Sequence, residues 1–263
     1  MTGTDFRFTE GAAYERFMGP WTRAVGAVFL DWLAMLEGQR WLDIGCGTGV
    51  FTELISEKAA PSEIVAIDPA PAQILYAREK PVAARADFRI ADAAELPFDD
   101  SSFGVAASAL VINFIPEREK AIAEMRRVTR PGGCVAGFVW DFCGPLAVTR
   151  HVTNVLREME AKVAPMPGVK STRPEALGLL FEQAGLADVA LRAIEVELTY
   201  PHIDAYWRRF IENPTPASLF VRGLPPAEQE VFRAKVTASL PAAPDGTVTF
   251  SARANAVKGF VGG

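Results

Sequence analysis

Leu42-Asp43-Ile44-Gly45-Cys46-Gly47-Thr48-Gly49 is the stretch that decides how this chain is read. The run Arg40 to Ile44 has the length and apolar character of a short buried strand, and it ends in glycines at alternate positions. Glycine there lets the backbone turn sharply and pass close to a ligand before a helix begins near Val50. A dinucleotide-binding turn has the spacing G-x-G-x-x-G, which requires glycine at position 50, where this chain has Val50. Asp43 adds a second difference. A carboxylate just ahead of the loop repels a pyrophosphate, whereas it tolerates or attracts an ammonium or sulfonium centre. A β-to-α turn also uses glycines for geometry alone, so the loop needs independent support.

Working outward, the hydrophobic period alternates between strand and helix. Strands are expected over 64–67, ending at Asp68, and over 88–90, 103–108 and 134–139. Helices are expected over 50–58, 71–80 and 117–128, with a loop from Asp92 to Ser102 and a tight turn at Pro131-Gly132-Gly133. This is the pattern of right-handed βαβ units in a parallel sheet covered on both faces. Ahead of it, residues 12–36 carry one apolar stripe that includes Tyr14, Trp21 and Phe29, with Gly19-Pro20 expected to kink or split the helix. Beyond Trp140, helices are expected over 148–162, 173–184, 204–212 and 227–240. Strands over 189–198 and 248–256 pair antiparallel at the sheet edge in this reading. The fold class is therefore α/β: a Rossmann-like doubly wound sheet, mostly parallel, with an antiparallel C-terminal edge strand and a helical cover. One domain is expected over 1–263, with a cap over 1–37, a ligand-binding core over 38–140 and a cover over 141–263.

Acids recur where such a sheet binds its ligands, at the C-terminal ends of successive strands. Asp68 can accept hydrogen bonds from both hydroxyls of an unphosphorylated ribose. Asp92 can accept from an exocyclic adenine amine, with the Ala93 N–H offered to a ring nitrogen. Each aspartate alone also reads as a helix cap or loop residue. Asp43, Asp68 and Asp92 together line one crevice.

The segments 43–49, Asp68, Asp92-Ala93-Ala94-Glu95-Leu96-Pro97-Phe98 and Arg127-Val128-Thr129-Arg130-Pro131-Gly132-Gly133 together resemble class I S-adenosylmethionine-dependent methyltransferases. Within that group the chain is similar to the small-molecule branch with the ubiquinone and menaquinone C-methyltransferases, over about residues 38–140. The resemblance implies S-adenosylmethionine as cofactor and S-adenosylhomocysteine as product. It places Gly45, Cys46, Gly47 and Gly49 beneath the methionine and ribose, Asp43 near the methionine amine, and Asp68 at the ribose. It also places Asp92 and Ala93 at the adenine, Pro69 against its ring, and the backbone of Ser108 and Ala109 at the methionine amine.

The chemistry needs alignment and exclusion of water more than a fixed catalytic set, since the cofactor carries the activated group. Members of the family often have aspartate at the position of Gly104 and histidine near that of Asn113. Asn113 cannot act as a base near neutral pH; it either orients a substrate or caps the following turn. His202 follows Tyr200-Pro201 at a strand end and is a candidate for overhanging the site, with an exposed loop position as the plainer reading. Tyr14 is the third catalytic candidate, while Trp21, Trp140, Tyr206 and Trp207 read first as core.

Composition excludes several classes. With 49% hydrophobic residues and 22% charged, the 263-residue chain is an ordinary globular protein. A net charge of -5 and the absence of a Lys/Arg run argue against nucleic acid, and Arg126, Arg127 and Arg130 read as the solvated face of one helix. Asn213-Pro214-Thr215-Pro216 has only a superficial likeness to the motif of nucleic-acid amino methyltransferases and is read as a loop. Met1-Thr2-Gly3-Thr4-Asp5 lacks the design of a secretory leader, and the longest apolar stretch, 103–115, is too short to span a bilayer. Cys46, Cys134 and Cys143 show no metal-ligand spacing and suit a reducing, cytoplasmic setting. The expected partner is a small molecule, with no nucleic acid, no membrane span and no metal, and the sequence leaves the oligomeric state open. The alternative to catalysis is a regulatory protein that binds S-adenosylmethionine without turnover. A nicotinamide-dependent oxidoreductase is disfavoured by Val50 and Asp43.

Overall fold

The computed structural model describes residues 11–144, 150–213, 215–240 and 243–263, with the side chains of 11–14 outside that description. Its centre is a seven-stranded sheet. In chain order the strands are β1 (Arg40–Ile44), β2 (Glu63–Asp68), β3 (Asp87–Ile90), β4 (Phe103–Ala109), β5 (Thr129–Trp140), β6 (Ala187–Tyr200) and β7 (Val248–Phe260). They lie side by side as β3-β2-β1-β4-β5-β7-β6. The first five run parallel, and β7 is antiparallel to both β5 and β6. The expected fold class holds, and the antiparallel pair forms the edge: β7 is inserted between β5 and β6, which leaves β6 outermost.

Strand order reverses at β1, which has β2 on one side and β4 on the other. An open parallel sheet splits into a crevice at that point, beyond the carboxyl ends of its strands. Strand period two sends Trp41 to one face and Leu42 and Ile44 to the other, into separate apolar clusters. Helices α1 (Gly11–Leu33) and α2 (Val50–Lys58) cover the first face. Helices α4 (Arg118–Val128) and α6 (Pro174–Gln183) cover the second. Between α2 and α4 comes α3 (Pro71–Arg78), and between α4 and α6 comes α5 (Arg150–Glu158). The chain between β6 and β7 forms α7 (Ile203–Glu212), α8 (Pro216–Arg222) and α9 (Pro226–Ala238).

Several local expectations are corrected. Gly19-Pro20 does not split the first helix; α1 runs from Gly11 to Leu33 with Pro20 inside it. Packing explains this. A Cβ at Gly26 would lie 2.8 Å from a Leu54 methyl, and the Phe29 ring sits 4.9 Å from Phe138 and 5.9 Å from Phe51. That burial outweighs one lost backbone hydrogen bond. Pro131-Gly132-Gly133 lies within the span of β5, as an irregularity between the pairs Phe103↔Thr129 and Val105↔Cys134. Thr215-Pro216 starts α8, with Thr215 and Ser218 closing a reciprocal capping box. The segment expected as helix over 148–149 lies outside the described residues.

Arg126, Arg127 and Arg130 are not one solvated helix face. Arg127 donates to the carbonyls of Leu96 (3.0 Å) and Phe98 (2.8 Å) and pairs with Glu124 (2.7 Å) and Asp100 (2.7 Å). It pins the loop after β3 to α4. Arg130 lies in β5 and donates to the Gln39 amide oxygen at 2.9 Å. That same oxygen occupies the space a side chain at Gly104 would need, so Gln39 fills the room beside this glycine.

Phe138 is fully buried between Phe29 and Phe51 and ties α1 and α2 to the sheet. Phe138→Ala is expected to cost about 3–5 kcal/mol of stability, read as a lower urea midpoint with an unchanged slope.

Candidate functional site

The site is built where β1 hands over to α2. The N–H groups of Gly45 and Cys46 both donate to the Ile67 carbonyl, at 2.8 and 2.9 Å, and Gly49 N–H returns to the Cys46 carbonyl at 2.9 Å. The chain thereby folds over the end of β2. Gly45 (φ 71), Gly47 (φ 51) and Gly49 (φ 82) all have left-handed backbone. Two of them differ in what surrounds them. A Cβ at Gly45 would lie 2.5 Å from a Val111 methyl, so this glycine is required by close packing. A Cβ at Gly47 would meet nothing within 4 Å, so its missing side chain leaves open room above the loop.

Asp68, the last residue of β2, fixes the loop's shape. Its Oδ2 accepts from Gly47 N–H at 3.0 Å and its Oδ1 from Ala70 N–H at 2.8 Å. Burial pushes its pKa up, opposed by the hydrogen bonds from Ala70 and Gly47. Each carboxylate oxygen keeps a further lone pair for a ligand hydroxyl. Pro69 beside it is exposed, and Asp68 and Pro69 lead into α3.

Asp43 lies deeper. It is fully buried in β1, pairing in register with Ala66 and Ala107. Its Oδ2 accepts from the Thr52 hydroxyl at 2.6 Å, while Oδ1 is buried with no partner among the described residues. Burial raises its pKa to about 7, with the Thr52 bond lowering it and the Asp68 charge raising it. The Cys46 thiol is also pushed well up by burial and then by the charges of Asp43 and Asp68, so it stays protonated.

Asp92 is exposed just past β3, and its Oδ1 accepts from Ala94 N–H at 2.8 Å, with Ala93 buried beside it. Ser108 is buried at the end of β4, with its hydroxyl unpartnered among the described residues, and Ala109 follows half-buried. Glycine loop, Asp68 and the ends of β3 and β4 thus edge one crevice. The donor set suits a ligand that is cationic at one end and carries hydroxyls to share with Asp68; it does not suit a phosphate.

Comparison with known proteins agrees with this chemistry. Residues 42–137 match the model of a methyltransferase domain. The biotin biosynthesis bifunctional protein of Cellvibrio japonicus is 42% identical over 112 residues, 42% of this chain and 22% of that protein. The demethylmenaquinone methyltransferase of Renibacterium salmoninarum is 35% identical over 164 residues, 61% of this chain and 65% of that protein. The chain thus spans less than two thirds of the length of either relative. A Haemonchus contortus phosphoethanolamine N-methyltransferase, solved with S-adenosylmethionine, shares the fold at a TM-score of 0.59 and 17% identity, over 99% of this chain and 58% of that one. Residues 42–137 are thus similar in sequence to a methyltransferase domain, and the chain shares its fold with a solved methyltransferase.

The chain spends Asn113 and His202, two of its candidate catalytic side chains, on structure. The Asn113 amide donates to the Pro167 carbonyl at 3.1 Å and is buried, so it tethers the loop ahead of α6 to the end of β4. His202 is exposed and caps α7, its Nδ1 accepting from Ala205 N–H at 3.3 Å. It lines a surface cavity with Thr237, Leu240 and Val248, apart from the glycine loop. The side chain of Tyr14 lies outside the described residues. Trp21, Trp140 and Tyr206 are core, as their spacing suggests, and Trp207 packs against them half-buried.

Three contributors escaped the sequence reading. Thr52 is the partner of Asp43, Val111 roofs Gly45, and Asp141 places a further buried carboxylate just past β5. Asp141 Oδ1 accepts from the N–H groups of Cys143 (3.1 Å) and Gly144 (2.7 Å). Thr52 was open to detection, because one helical turn after the loop returns a side chain to the strand end.

Asp43 makes the site's pH dependence testable. Its folded pKa of about 7 stands above its unfolded value of 3.8, so the folded state holds the proton longer and stability falls as pH rises between those values. Relative to Asp43→Asn, the native protein is expected to lose on the order of 4 kcal/mol between pH 4 and pH 7. Urea unfolding of both proteins across that range measures the difference; parallel curves would refute the assignment.

Proposed function

We propose that this chain binds S-adenosylmethionine and transfers its methyl group to a small-molecule acceptor. The observation that carries the reading is the open space over Gly47, set by the Asp68 clamp and backed by the buried carboxylate of Asp43. When bound, the cofactor supplies a methyl group already activated on sulfur for in-line displacement. Gly45, Cys46, Gly47 and Gly49 would pass beneath its methionine and ribose portions, and Asp68 would hold the ribose hydroxyls. Asp92, Ala93 and Pro69 would take the adenine. Asp43 and the backbone of Ser108 and Ala109 would face the amine end. The whole chain would work as one domain, with 1–37 as cap, 38–140 as core and 141–263 as cover. The acidic balance supports a small-molecule acceptor over nucleic acid, and the free cysteines suit the cytoplasm. Among the described residues no helix is long and apolar enough to cross a membrane.

A second reading, binding without turnover, is favoured by one observation. Asn113 and His202 are both committed to structural hydrogen bonds, and neither stands ready as a base. Formation of S-adenosylhomocysteine in the presence of quinols, phenols or amines separates the two readings.

Isothermal titration with S-adenosylmethionine and with S-adenosylhomocysteine tests the cofactor. Micromolar binding of both is expected, and no heat from the folded protein would end the proposal. Asp68→Ala should weaken binding by about 1–3 kcal/mol through lost charge-assisted hydrogen bonds. Gly47→Val should abolish it by filling the room above the loop. Normal binding by that variant would show that the loop is not the site.

A further inference from the structure

A cavity of about 300 Å³ opens between α1, α3 and α7, lined by Glu15, Arg16, Pro20, Tyr76 and Arg209. Its position follows from α1. A Cβ at Gly19 would lie 3.9 Å from a methyl of Val50, the residue that follows the glycine loop, and 3.3 Å from Glu15 Cγ. Glu15 and Arg16 therefore sit one helical turn beyond the loop, overhanging the carboxyl ends of the strands. Tyr76 comes from α3, the helix that Asp68 introduces.

The charges on this wall are unevenly matched. Glu15 is engaged by Lys80 at 3.1 Å, and Arg16 by Glu212 at 3.5 Å. Arg209 makes no ion pair among the described residues. It is half-buried and held over the Tyr200 ring, 5.5 Å from the centroid, and that ring packs edge-on against Tyr206 at 5.6 Å and Phe250 at 5.7 Å. The guanidinium is thus supported from below by a buried aromatic stack, which limits the freedom it loses on binding a ligand. Glu15 Oε2 is buried without a donor among the described residues. The wall offers a guanidinium wanting an anion and a carboxylate oxygen wanting a hydrogen-bond donor.

We propose that this cavity is the acceptor subsite and that Arg209 anchors a small, single-ring acceptor through a carboxylate or phosphate group. The proposal rests on the methyl-transfer reading for the word acceptor, whereas the anion site itself stands on the cavity and its charges. An acceptor with an anion at one end and an O–H or N–H at the other satisfies both Arg209 and Glu15. Arg209 here is a specificity residue, since the anion is its partner and the methylated atom lies elsewhere on the ring. In a chain of net charge -5, an anionic ligand is repelled overall, so a local guanidinium with no ion-pair partner among the described residues is what would admit it.

The test titrates the whole protein with 4-hydroxybenzoate, phenyl phosphate and the uncharged 4-hydroxybenzamide, followed by ligand-observed NMR. S-Adenosylhomocysteine is titrated in parallel. At least one anion is expected to bind about tenfold more tightly than the amide, as a charge-assisted pair requires. Arg209→Gln should erase that preference and Arg209→Lys should keep part of it, with unchanged thermal unfolding and unchanged S-adenosylhomocysteine affinity. Which anion wins distinguishes a carboxylate from a phosphate acceptor. No binding of either anion at millimolar probe, equal binding of anion and amide, or a preference that survives Arg209→Gln would overturn the proposal. Failure of S-adenosylhomocysteine alone to bind would instead strike the cofactor reading.

Discussion

The carboxylate of Asp68 is the constraint on which the site depends. One oxygen holds Gly47 N–H at 3.0 Å in the loop after β1, and the other holds Ala70 N–H at 2.8 Å in the turn after β2. Because β1 and β2 are parallel neighbours, their loops leave the sheet side by side, and one carboxylate can lock both. Burial makes its charge costly, and the two backbone donors offset part of that cost. The result is a loop whose left-handed glycines are held in shape before any ligand arrives, which lowers the ordering cost of binding.

That clamp also organises the electrostatics. Burial raises the cost of negative charge at Cys46, and the charges of Asp43 and Asp68 add to it, so the thiol stays protonated. Negative charge of this kind disfavours a phosphate and suits a ligand with a cationic end. The guanidinium of Arg209, which makes no ion pair among the described residues, lines the cavity that Glu15 and Tyr76 share.

Those parts of the molecule governed by local rules were legible in the sequence. The glycine spacing, Asp68, and the alternation of strands and helices through β5 all follow from backbone requirements confined to a few neighbouring residues. The misreadings share the opposite property. Pro20 stays inside α1 because Phe29 packs on Phe138, more than a hundred positions away. Arg127 left the solvated face because the carbonyls of Leu96 and Phe98 come to meet it. Asn113 became a tether because the Pro167 carbonyl reaches it from the loop ahead of α6. The start of α8 is different in kind: Thr215, Pro216 and Ser218 carried a local capping signal that the loop reading passed over.

The acceptor side resists sequence reading for a related reason. The apolar stripes of α5, α7, α8 and α9 say that each helix is half-buried but not against what. Val155, Val221, Phe232 and Val236 join one cluster with Trp21, Tyr206 and Phe250, so the stripes are shared among helices and the sheet edge. Such stripes tolerate exchange of one apolar residue for another of similar volume while the assembly persists. A charged residue at the boundary of that cluster is under a stricter constraint. Arg209 sits on α7 between Tyr206 and Phe210, which are both buried, so its direction is set by the two rings that anchor the helix. The cover's packing therefore aims a guanidinium that its pattern alone could not place, and the acceptor's chemistry is written in that aim.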